Sequence, residues 1–597
     1  MNAPRPENMR SPLKAWLRAL EATAPIERGQ APILPLLIDT LAERFDAAPA
    51  LLGRDACLSY RELAQAASRY ARWGLAQGLT ARDVVCLLMP NCPDYMAIWL
   101  GLSRIGVTVS LLNTNLTGEL LAHAIRVVAP RSVIVGAALG AGLRGARAHI
   151  PSTVAFWAHG AGEPDLPRLD LEAARMPADR VTNSEAAAPS LEERALFIYT
   201  SGTTGLPKAA NVSHFRLMQW THWFAGLMNT APSDRMYNCL PMYHSIGGVV
   251  ASGAPLVGGG AVVLRERFSA REFWQDIVAE RCTLFQYIGE LCRYLLASPP
   301  QAHETHHALR LCCGNGLRAD VWEEFQGRFR IPQILEYYAA TEGSFSLYNC
   351  EGRAGAIGKI PAFLAHRVPV ALVRFDTEAE APVRDEAGHC LRCAPDEVGE
   401  AIGALSRPGG EQGGRFEGYA DPEASKKKIL RNVFAEGDTW YRTGDLMRQD
   451  DQGFFYFVDR VGDTFRWKGE NVSTGEVTGV ITACPGVTDA VVYGVAVPGT
   501  EGRAGMAAVV VAAQFELAAL RRHLQALPAY ARPLFLRIVP SIELTGTFRL
   551  KKSELALQGY DPARVSDPVY FDDRSLEAYA KVDAALYERI QAGSLRL

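Results

Sequence analysis

The stretch FIYTSGTTGLPKAA, residues 197–210, is the part of this sequence that says most about its fold and its chemistry. An apolar run, typical of a buried strand, leads into small and hydroxylated residues, then a proline and a lysine. Small residues let backbone N–H groups approach a polyphosphate, hydroxyl groups add donors, and lysine adds positive charge. The stretch therefore predicts a phosphate-binding loop made of Thr200, Ser201, Gly202, Thr203, Thr204, Gly205 and Lys208.

This loop is not of the Walker A type. Pro207 stands where the second glycine of that motif belongs, and Ala209 follows the lysine in place of Ser or Thr. A flexible surface loop would explain the glycines, but it would not explain the whole string from the apolar strand to Lys208. We therefore expect a phosphate loop of another class.

Composition limits what the rest of the chain can be. The chain has 597 residues, 48% of them hydrophobic, with 62 Lys+Arg against 65 Asp+Glu. A length prior of about 100 to 200 residues per domain predicts several packed units and excludes a mainly disordered chain. The net charge of -3 lacks the basic footprint of a nucleic-acid binder, so we expect small-molecule partners and no nucleic acid.

The pattern of apolar runs predicts an α/β protein. From about 35 to 360, short apolar runs alternate with helical segments, which favours layered and largely parallel sheets. Closely spaced Gly, Pro and Asp from about 355 to 460 favour a β-rich subdomain, and the last part alternates again as a small α+β module. We predict a large N-terminal region of several subdomains at 1–461 and a mobile C-terminal domain at 462–597.

No secretory signal or transmembrane run is visible in the sequence, so we expect a cytoplasmic protein. Residues 11–21 form an amphipathic pattern that fits a membrane surface or, more readily, a helix that docks on its own domain. Most of the twelve cysteines are isolated, as in a reducing compartment. Cys390 and Cys393 form a C-x-x-C beside His389, but no second pair completes a zinc site, so a metal there is not favoured.

Four ordered motifs resemble the adenylate-forming superfamily, which includes acyl-CoA synthetases, luciferases and peptide-synthetase adenylation domains. They are YTSGTTGLPK at 199–208, YYAATEG at 337–343, YRTGDL at 441–446 and DRVGDTFRWKGENVSTGEV at 459–477. The strings TFRWKGENVST and LTGTFRLKKSELALQGYDP further resemble the very-long-chain acyl-CoA synthetases, also called fatty acid transport proteins. The resemblance extends over nearly the entire chain.

This resemblance implies a two-step ligase that uses ATP, Mg²⁺ and, as co-substrate, CoA. A long- or very-long-chain fatty acid reacts with ATP to give acyl-AMP and pyrophosphate, and the CoA thiolate then displaces AMP. An alternative keeps adenylation but changes the acid, to an aryl, branched or sterol-derived one, or changes the acceptor to a carrier-protein thiol. Another alternative is a fatty acid binding or uptake protein whose ligase site has decayed. For insoluble acids we expect membrane contact to be peripheral, at the inner face of a membrane.

Residue roles follow from the resemblance, position by position. Glu342 is expected to hold Mg²⁺ with the Thr200 hydroxyl, and Asp445 to accept both hydrogen bonds of the ribose diol. Tyr338 offers a ring on which adenine stacks. The other residues expected to contact the nucleotide are Gly314, Asn315, Gly316, Thr341 and Arg460.

Two further groups complete the expected site. His244 follows Tyr243 and is expected to position the acyl carboxylate, beside Ser245, Gly247 and Gly248, whose small size would leave room for an acyl chain. The C-terminal domain is expected to rotate about Gly462, since glycine tolerates a large change of φ and ψ. We expect Arg466, Lys468 and Gly469 to contact the nucleotide or CoA in one of the two orientations of this domain.

The sequence departs from the family pattern at two positions. Ala339 follows Tyr338 where the superfamily has glycine, which adds one methyl group. Arg549 stands where the transport-protein subfamily has the lysine that stabilises the adenylation transition state, and the two cations are not interchangeable at a tight site. Arg549 is then expected to act itself, or Lys551 or Lys552 to replace it.

Overall fold

The computed structural model describes residues 11–163, 165–201, 206–377, 379–406, 413–467, 470–498, 500, 502–542 and 552–595. They divide into two compact units: Met1–Ile360 with Arg415–Ile429, and Pro361–Gly414 with Leu430–Leu597. Both units mix helices and strands, so the predicted α/β class is confirmed. The predicted boundary between 461 and 462 stays a prediction.

Helices of the first unit pack against two sheets. They are α1 (Pro12–Glu27), α2 (Leu34–Phe45), α3 (Tyr60–Ala76), α4 (Pro93–Arg104), α5 (Gly118–Arg126), α6 (Gly140–Arg147), α7 (Leu169–Ala173), α8 (His214–Met228), α9 (Ala251–Val257), α10 (Phe273–Ala279), α11 (Gly289–Ala297), α12 (Ala319–Arg328) and α13 (Pro422–Lys426).

The strands of the first unit are, in several cases though not in all, short apolar runs of the kind that predicts buried strands. They are β1 (Pro49–Leu52), β2 (Cys57–Ser59), β3 (Val84–Leu88), β4 (Thr108–Leu111), β5 (Ser132–Gly136), β6 (Ala155–His159), β7 (Arg194–Ser201), β8 (Pro207–Ser213), β9 (Arg235–Asn238), β10 (Ala261–Leu264), β11 (Leu284–Ile288), β12 (Leu311–Asn315), β13 (Ile334–Ala339), β14 (Ser346–Asn349) and β15 (Gly358–Lys359).

One sheet of the first unit has the order β6-β5-β3-β4-β7-β8 and is parallel except for the β7–β8 pair. Strands β3, β4 and β5 are buried along their whole length, as expected of parallel strands covered on both faces. The chain leaves β7 at Ser201, at the start of the predicted phosphate loop.

The other sheet of this unit has the order β15-β14-β13-β12-β11-β9-β10-β1-β2. Its strands are parallel from β13 through β1 and antiparallel at both margins. The carboxyl ends of β12 and β13 lead directly into segments that the sequence assigns to the nucleotide. This edge of a parallel sheet is where α/β proteins bind ligands.

Helix α1 docks on its own unit, as the sequence favours. Trp16 is 4% exposed, and its ring centroid lies 5.9 Å from that of Trp223 and 5.6 Å from that of Tyr348. On the same helix, Leu13 is 51% and Leu17 is 44% exposed. Within the described residues, no helix is long and apolar enough to cross a membrane.

The remaining elements build two further sheets and a hairpin. The helices are α14 (Thr474–Thr482), α15 (Leu517–His523), α16 (Lys552–Gln558) and α17 (Ala584–Gln591). The strands are β16 (Val370–Asp376), β17 (Ala381–Pro382), β18 (Gly399–Ser406), β19 (Ile429–Arg431), β20 (Thr439–Gln449), β21 (Phe454–Arg460), β22 (Phe465–Trp467), β23 (Glu470–Val472), β24 (Val487–Val495), β25 (Ala504–Val511), β26 (Phe535–Ile538), β27 (Val569–Asp573) and β28 (Ala578–Lys581).

In the second unit, strands of the predicted β-rich stretch pair antiparallel in the order β17-β16-β18-β20-β21. The following residues form the β22–β23 hairpin and the sheet β24-β25-β26-β27-β28, which packs with helices around its own apolar core. The valine- and alanine-rich strands β24 and β25 supply the centre of that core, so the predicted α+β texture of this stretch is confirmed.

A buried histidine makes the first unit sensitive to acid. His214 begins α8, is 1% exposed, and neither ring nitrogen has a hydrogen-bond partner among the described residues. Burial lowers the pKa of this imidazole to about 4, against 6.5 for an ordinary histidine. As the pH falls below 6.5, the unfolded chain gains a proton that the folded state does not take up. Stability therefore decreases from there toward pH 4.

We predict that His214→Leu flattens this acid dependence, because leucine fills a similar volume and does not titrate. Between about pH 7 and about pH 5 the wild-type protein should lose about 2 kcal/mol of unfolding free energy through this group. Urea unfolding at both pH values measures it. His303→Gln, at an exposed histidine, should keep the wild-type dependence. An equal acid loss in His214→Leu would contradict the assignment.

Candidate active site

The ends of the predicted phosphate loop are fixed by the β7–β8 pair. Thr200 lies directly opposite Lys208, and Ser201 opposite Pro207. Directly opposite residues of an antiparallel pair point to the same face, so Thr200 and Lys208 share one face of the sheet. The loop residues between them, Gly202, Thr203, Thr204 and Gly205, lie outside the described residues.

Tyr419 links this face to Glu342. The Tyr419 hydroxyl donates a hydrogen bond of 2.6 Å to Oε1 of Glu342, which is 7% exposed. Nζ of Lys208 lies 6.0 Å from the centroid of the Tyr419 ring. Burial raises the pKa of Tyr419, the Glu342 carboxylate raises it further, and the Thr200 hydroxyl acts in the opposite sense. The structure thus brings together Thr200, Lys208 and Glu342, as the sequence predicts.

Arg216 holds the turn that carries Glu342. From α8, its Nη1 donates to the carbonyl oxygens of Thr341 at 2.9 Å and Gly343 at 3.0 Å. Nε of the same buried side chain lies 3.7 Å from Oε1 of Glu417. Glu417 in turn accepts from both the backbone N–H and the hydroxyl of Ser213, so β8, α8 and the Glu342 turn are tied together.

His244 lies at the start of the next segment of this region. Its ring centroid is 4.4 Å from that of Tyr243, whose hydroxyl accepts from Nδ2 of Asn115 at 3.2 Å. Burial raises the pKa of Tyr243 to about 12. The Ser245 hydroxyl lies 3.2 Å from Oγ1 of Thr341, which places the His244 segment against the Glu342 turn.

The expectation that Gly247 and Gly248 leave room for an acyl chain is wrong. Residues Ser245–Val250 form a π-helix that packs against the preceding backbone. A Cβ at Gly247 would lie 2.4 Å from the carbonyl oxygen of Pro241, and one at Gly248 would lie 2.1 Å from that of Met242. Glycine is needed here for close backbone contact, and the freed space is already filled.

The Gly314–Gly316 turn, whose backbone is expected to come close to the base of the nucleotide, follows β12. Gly316 has φ +78°, a left-handed conformation that favours glycine. The space beside Gly314 is taken by Tyr287, because a Cβ there would lie 2.4 Å from a carbon of its ring. Tyr338, near the end of β13, is half-buried with its ring centroid 6.0 Å from that of Phe345.

In the second unit, Asp445 lies directly opposite Arg460 across the β20–β21 pair. Nε of Arg460 is 3.4 Å from Oδ1 of Asp445, which is buried. The backbone N–H of Asp445 donates to Oγ1 of Thr443, which itself donates to the carbonyl oxygen of Ala401. The structure therefore pairs these two predicted nucleotide residues and fixes the turn before them.

A buried carboxylate supports the same turn from behind. Oε1 of Glu400 accepts from Nε of Arg442 and from the backbone N–H of Gly444, both at 3.0 Å. Oε2 of Glu400 accepts from Nη2 of Arg442 at 2.9 Å. A two-pronged guanidinium–carboxylate pair is geometrically specific, so it fixes Glu400 and, through it, the backbone of Gly444 next to Asp445.

The predicted hinge residue Gly462 has φ +88°, and no atom lies within 4 Å of the Cβ position. Arg466, on β22, is exposed. Nearby, Nζ of Lys552 donates to Oγ1 of Thr474 at 2.6 Å and lies 3.4 Å from Oδ2 of Asp463. Like the loop residues 202–205, the predicted site residues Lys468, Gly469 and Arg549 lie outside the described residues, as does Lys551.

The Cys390–Cys393 pair and the Glu342–Thr200 pair differ in how well they could bind a metal ion. Cys390 and Cys393 are free thiols, and within the described residues no group of three or more His, Cys, Asp or Glu could hold a metal ion by itself. Glu342 and Thr200, by contrast, offer the oxygen atoms that Mg²⁺ prefers, and Mg²⁺ usually takes few protein ligands because substrate phosphates complete its shell. The donor chemistry at Glu342 thus fits Mg²⁺.

Sequence analysis missed Tyr419, Arg216 and Glu417, although each supports the predicted site. A single Tyr, Arg or Glu has no distinguishing pattern, and Tyr419 is 77 positions away from its partner Glu342. Only the position of Tyr419 in the GYADPEA stretch, between two predicted motifs, offered any indication.

Comparison with known families agrees with this geometry. Residues 38–400 match the AMP-binding enzyme family, and residues 476–549 match the AMP-binding enzyme C-terminal domain. Long-chain fatty acid transport protein 1 of Mus musculus is 39% identical over 573 residues, which cover 94% of this chain and 88% of that protein. Long-chain fatty acid transport protein 3 of Homo sapiens is 40% identical over 529 residues, covering 87% and 76%.

Solved structures share the fold at lower identity. ATP-bound MatB from Rhodopseudomonas palustris has a TM-score of 0.73 and 24% identity, covering 88% of this chain and 98% of that one. The Mycobacterium tuberculosis fatty acyl CoA synthetase has a TM-score of 0.61 and 22% identity, with coverages of 88% and 98%.

The fold and both family matches define an adenylate-forming enzyme, which confirms the prediction of an AMP-forming acid–thiol ligase. More narrowly, the chain belongs to the AMP-binding enzyme family in the branch of the long-chain fatty acid transport proteins. The resemblance drawn from the motifs is thereby confirmed.

We predict that Tyr419→Phe lowers kcat/KM for ATP about tenfold, because a hydrogen bond to a charged group contributes about 1.5 to 3 kcal/mol and holds Glu342 in place. Pyrophosphate release at varied ATP, with a carboxylic acid in excess, measures the effect. Tyr530→Phe, at a half-buried tyrosine of the second unit, is the matched control and should keep wild-type kinetics. Wild-type kcat/KM in Tyr419→Phe would refute the role of this hydroxyl.

Proposed function

We propose that this protein is an ATP-dependent ligase that joins a long- or very-long-chain fatty acid to CoA through an acyl-AMP intermediate. The observation that carries the proposal is the meeting of Thr200, Lys208 and Glu342 around Tyr419. Glu342 and Tyr419 are distant in the sequence from the loop that joins Thr200 and Lys208, and each of the three site residues suits one part of binding and activating a polyphosphate. The names of the transport-protein relatives support a long-chain fatty acid as the acid.

In the first step, a carboxylate oxygen attacks the α-phosphorus of ATP and the bond to pyrophosphate breaks. Two anions must meet, so neutralising charge is the main catalytic task. We assign Lys208 and the loop at 202–205 to the phosphates, and His244 to orienting the acyl carboxylate. The contact between Ser245 and Thr341 supports this assignment, because it brings the His244 segment against the Glu342 turn.

Mg²⁺, when bound, would neutralise phosphate charge and help pyrophosphate to leave. We assign its protein ligands to Glu342 and Thr200. The Tyr419 hydroxyl donates a hydrogen bond to Oε1 of Glu342 and thereby fixes the orientation of the carboxylate toward the phosphates.

The second unit contributes Asp445, which we assign to the ribose diol, with Arg460 beside it. An ionised carboxylate has two acceptor oxygens, so it can accept hydrogen bonds from two neighbouring hydroxyl groups. The Glu400–Arg442 pair supports this role because it fixes the turn that presents Asp445.

In the second step, the CoA thiolate attacks the acyl carbon, the bond to AMP breaks, and AMP leaves. We propose that the domain from 462 rotates about Gly462 between the steps and brings Gly469 to the pantetheine path, with Arg466 and Lys468 as its cations. The left-handed φ of Gly462 and the open space around it support the hinge role.

We further propose that the protein works in the cytoplasm and meets insoluble acids peripherally, at the inner face of a membrane. Twelve free cysteines support a reducing compartment, and the exposed Leu13 and Leu17 of α1 offer a small apolar contact. An uptake protein with a decayed ligase site is not favoured, since the predicted phosphate, metal and ribose residues are all present. A different acid is not favoured, since the relatives are named for long-chain fatty acids.

The direct test is pyrophosphate release by the full chain with Mg-ATP across acids from acetate to very long chains, with and without CoA. We expect release with long acids and faster AMP turnover when CoA is added. Glu342→Gln should reduce release by about 100-fold or more. Glu351→Gln, at an exposed glutamate, removes the same charge and should not. No release with any acid, by folded protein, would refute the ligase proposal.

Arg549 is the second residue whose role in adenylation can be tested by substitution. Lys552 is engaged by Thr474 and Asp463, so we propose that Arg549 itself supplies the cation of the adenylation step. Arg549→Ala should slow acyl-AMP formation by about 100-fold, since one charged donor to a transition state contributes that much. The Arg549→Lys variant, which keeps a cation at this position, should restore the rate of acyl-AMP formation.

Thioester formation from preformed acyl-AMP separates the two steps and should be unaffected by either change at Arg549. If Arg549→Ala adenylates at the wild-type rate, another cation, with Lys551 first among the candidates, performs this role.

A further inference from the structure

Glu336 is a buried carboxyl group that the proposed chemistry does not use. It lies on β13 and is 1% exposed. Its Oε1 accepts a hydrogen bond of 3.0 Å from the backbone N–H of Leu317, and its Oε2 accepts one of 2.5 Å from the Tyr287 hydroxyl. The neighbouring backbone N–H of Gly316 also acts to lower the pKa of this carboxyl group. Glu336 therefore grips the Gly314–Leu317 turn from the side of the protein interior.

Three residues form a straight row across neighbouring strands beneath this turn. Tyr287 of β11 pairs with Gly314 of β12, and Gly314 pairs with Glu336 of β13. Because Gly314 lacks a Cβ, the Tyr287 ring passes over it and its hydroxyl reaches Glu336. The glycine is thus part of the support for the carboxylate, and any side chain at Gly314 would displace the tyrosine.

We propose that Glu336 is a positioning residue: its ionised carboxylate fixes the Gly316 and Leu317 backbone for the adenine ring, so that nucleotide binding releases a proton. This inference rests on the proposed role of the Gly314–Gly316 turn in nucleotide binding. Glu336 acts through the turn and has no contact with the reacting atoms.

The surroundings of Glu336 make its charge responsive near neutral pH. Burial raises its pKa to about 8, against the opposing effect of its three donors, Tyr287, Leu317 and Gly316. The other titratable groups that face it among the described residues are neutral, since burial raises their pKa well above the usual range. They are Tyr287 of β11, Cys313 of β12, Cys292 of α11 and Tyr337 of β13.

The direction of the pH effect follows from which form grips the turn. A carboxylate accepts backbone N–H groups more strongly than a neutral carboxylic acid does. A ligand that needs the ordered turn favours the ionised form, lowers the pKa of Glu336, and expels its proton. By linkage, affinity for the nucleotide must then rise as the pH increases through about 8.

Folding stability changes with pH in the opposite direction to nucleotide affinity, so the two effects of Glu336 can be distinguished. The folded pKa of Glu336 lies above its ordinary value of 4.5, so the ionised group costs stability increasingly as the pH rises from 4.5 to about 8. Glu336→Gln removes that cost, retains one acceptor oxygen and is expected to fold.

The experiment is calorimetric titration of the full chain with AMP, near pH 8, in two buffers with different ionisation enthalpies. The phosphate group of AMP, with a second pKa of about 6, is already ionised there. Wild-type protein should release a fraction of a proton per AMP bound, and Glu336→Gln should release none. We expect the variant to bind AMP about fivefold to tenfold more weakly, with an affinity that no longer changes between about pH 7 and about pH 9.

Two further titrations, one with adenosine and one with the Tyr287→Phe variant, test the same inference. Adenosine, which has no phosphate, should release the same proton from wild-type protein, because the effect is at the base. Tyr287→Phe keeps the carboxyl group but removes one donor, so the pH at which affinity rises should move upward.

Proton release by Glu336→Gln equal to that of wild-type protein would overturn the inference while leaving the ligase proposal intact. Weaker AMP binding with an unchanged pH dependence would also overturn it, because that result describes a merely structural residue. If folded wild-type protein bound no AMP at any pH, the proposed function would fail, and this inference with it.

Discussion

Buried carboxylates that hold backbone N–H groups are the constraint on which the site depends. A turn that presents atoms to a nucleotide cannot also pair all its N–H groups in a β-ladder, yet buried N–H groups need partners. Glu336 supplies them behind the Gly316 turn, Glu400 behind the Gly444 turn, and Glu417 at Ser213. Hydrogen bonds to a buried carboxyl group are directional, so they restrict the conformation of each turn, most strongly where the carboxyl group is ionised.

These hydrogen bonds fix the backbone of two turns that we assign to the nucleotide. A preformed set of donors and carboxylates needs no reorganisation when charge develops, which is how electrostatic stabilisation acts in enzymes. Glu342 differs from the supporting carboxyl groups, each of which accepts a backbone N–H as well as a side-chain donor. Among the described residues, Glu342 accepts a side-chain hydrogen bond from Tyr419 through one oxygen, Oε1.

The glycines show where sequence patterns mislead. The small residues after His244 suggested free volume, but the π-helix of Ser245–Val250 brings Gly247 and Gly248 against the carbonyl groups of Pro241 and Met242. Gly314 has Tyr287 against it in the same way. A missing side chain in a sequence indicates only that some atom is close, and packing alone determines whether that atom belongs to a ligand or to the protein.

The sequence by itself determined the class of fold, the β-rich middle stretch, the family and the residue types of the phosphate loop. Those depend on local periodicity and on contiguous strings such as YTSGTTGLPK. Only the tertiary structure revealed that Tyr419 holds Glu342, that Arg216 holds the Thr341 turn, and that Tyr287, Gly314 and Glu336 form one row. These contacts join residues far apart in the chain, and no local pattern specifies which distant strand or helix will supply the partner.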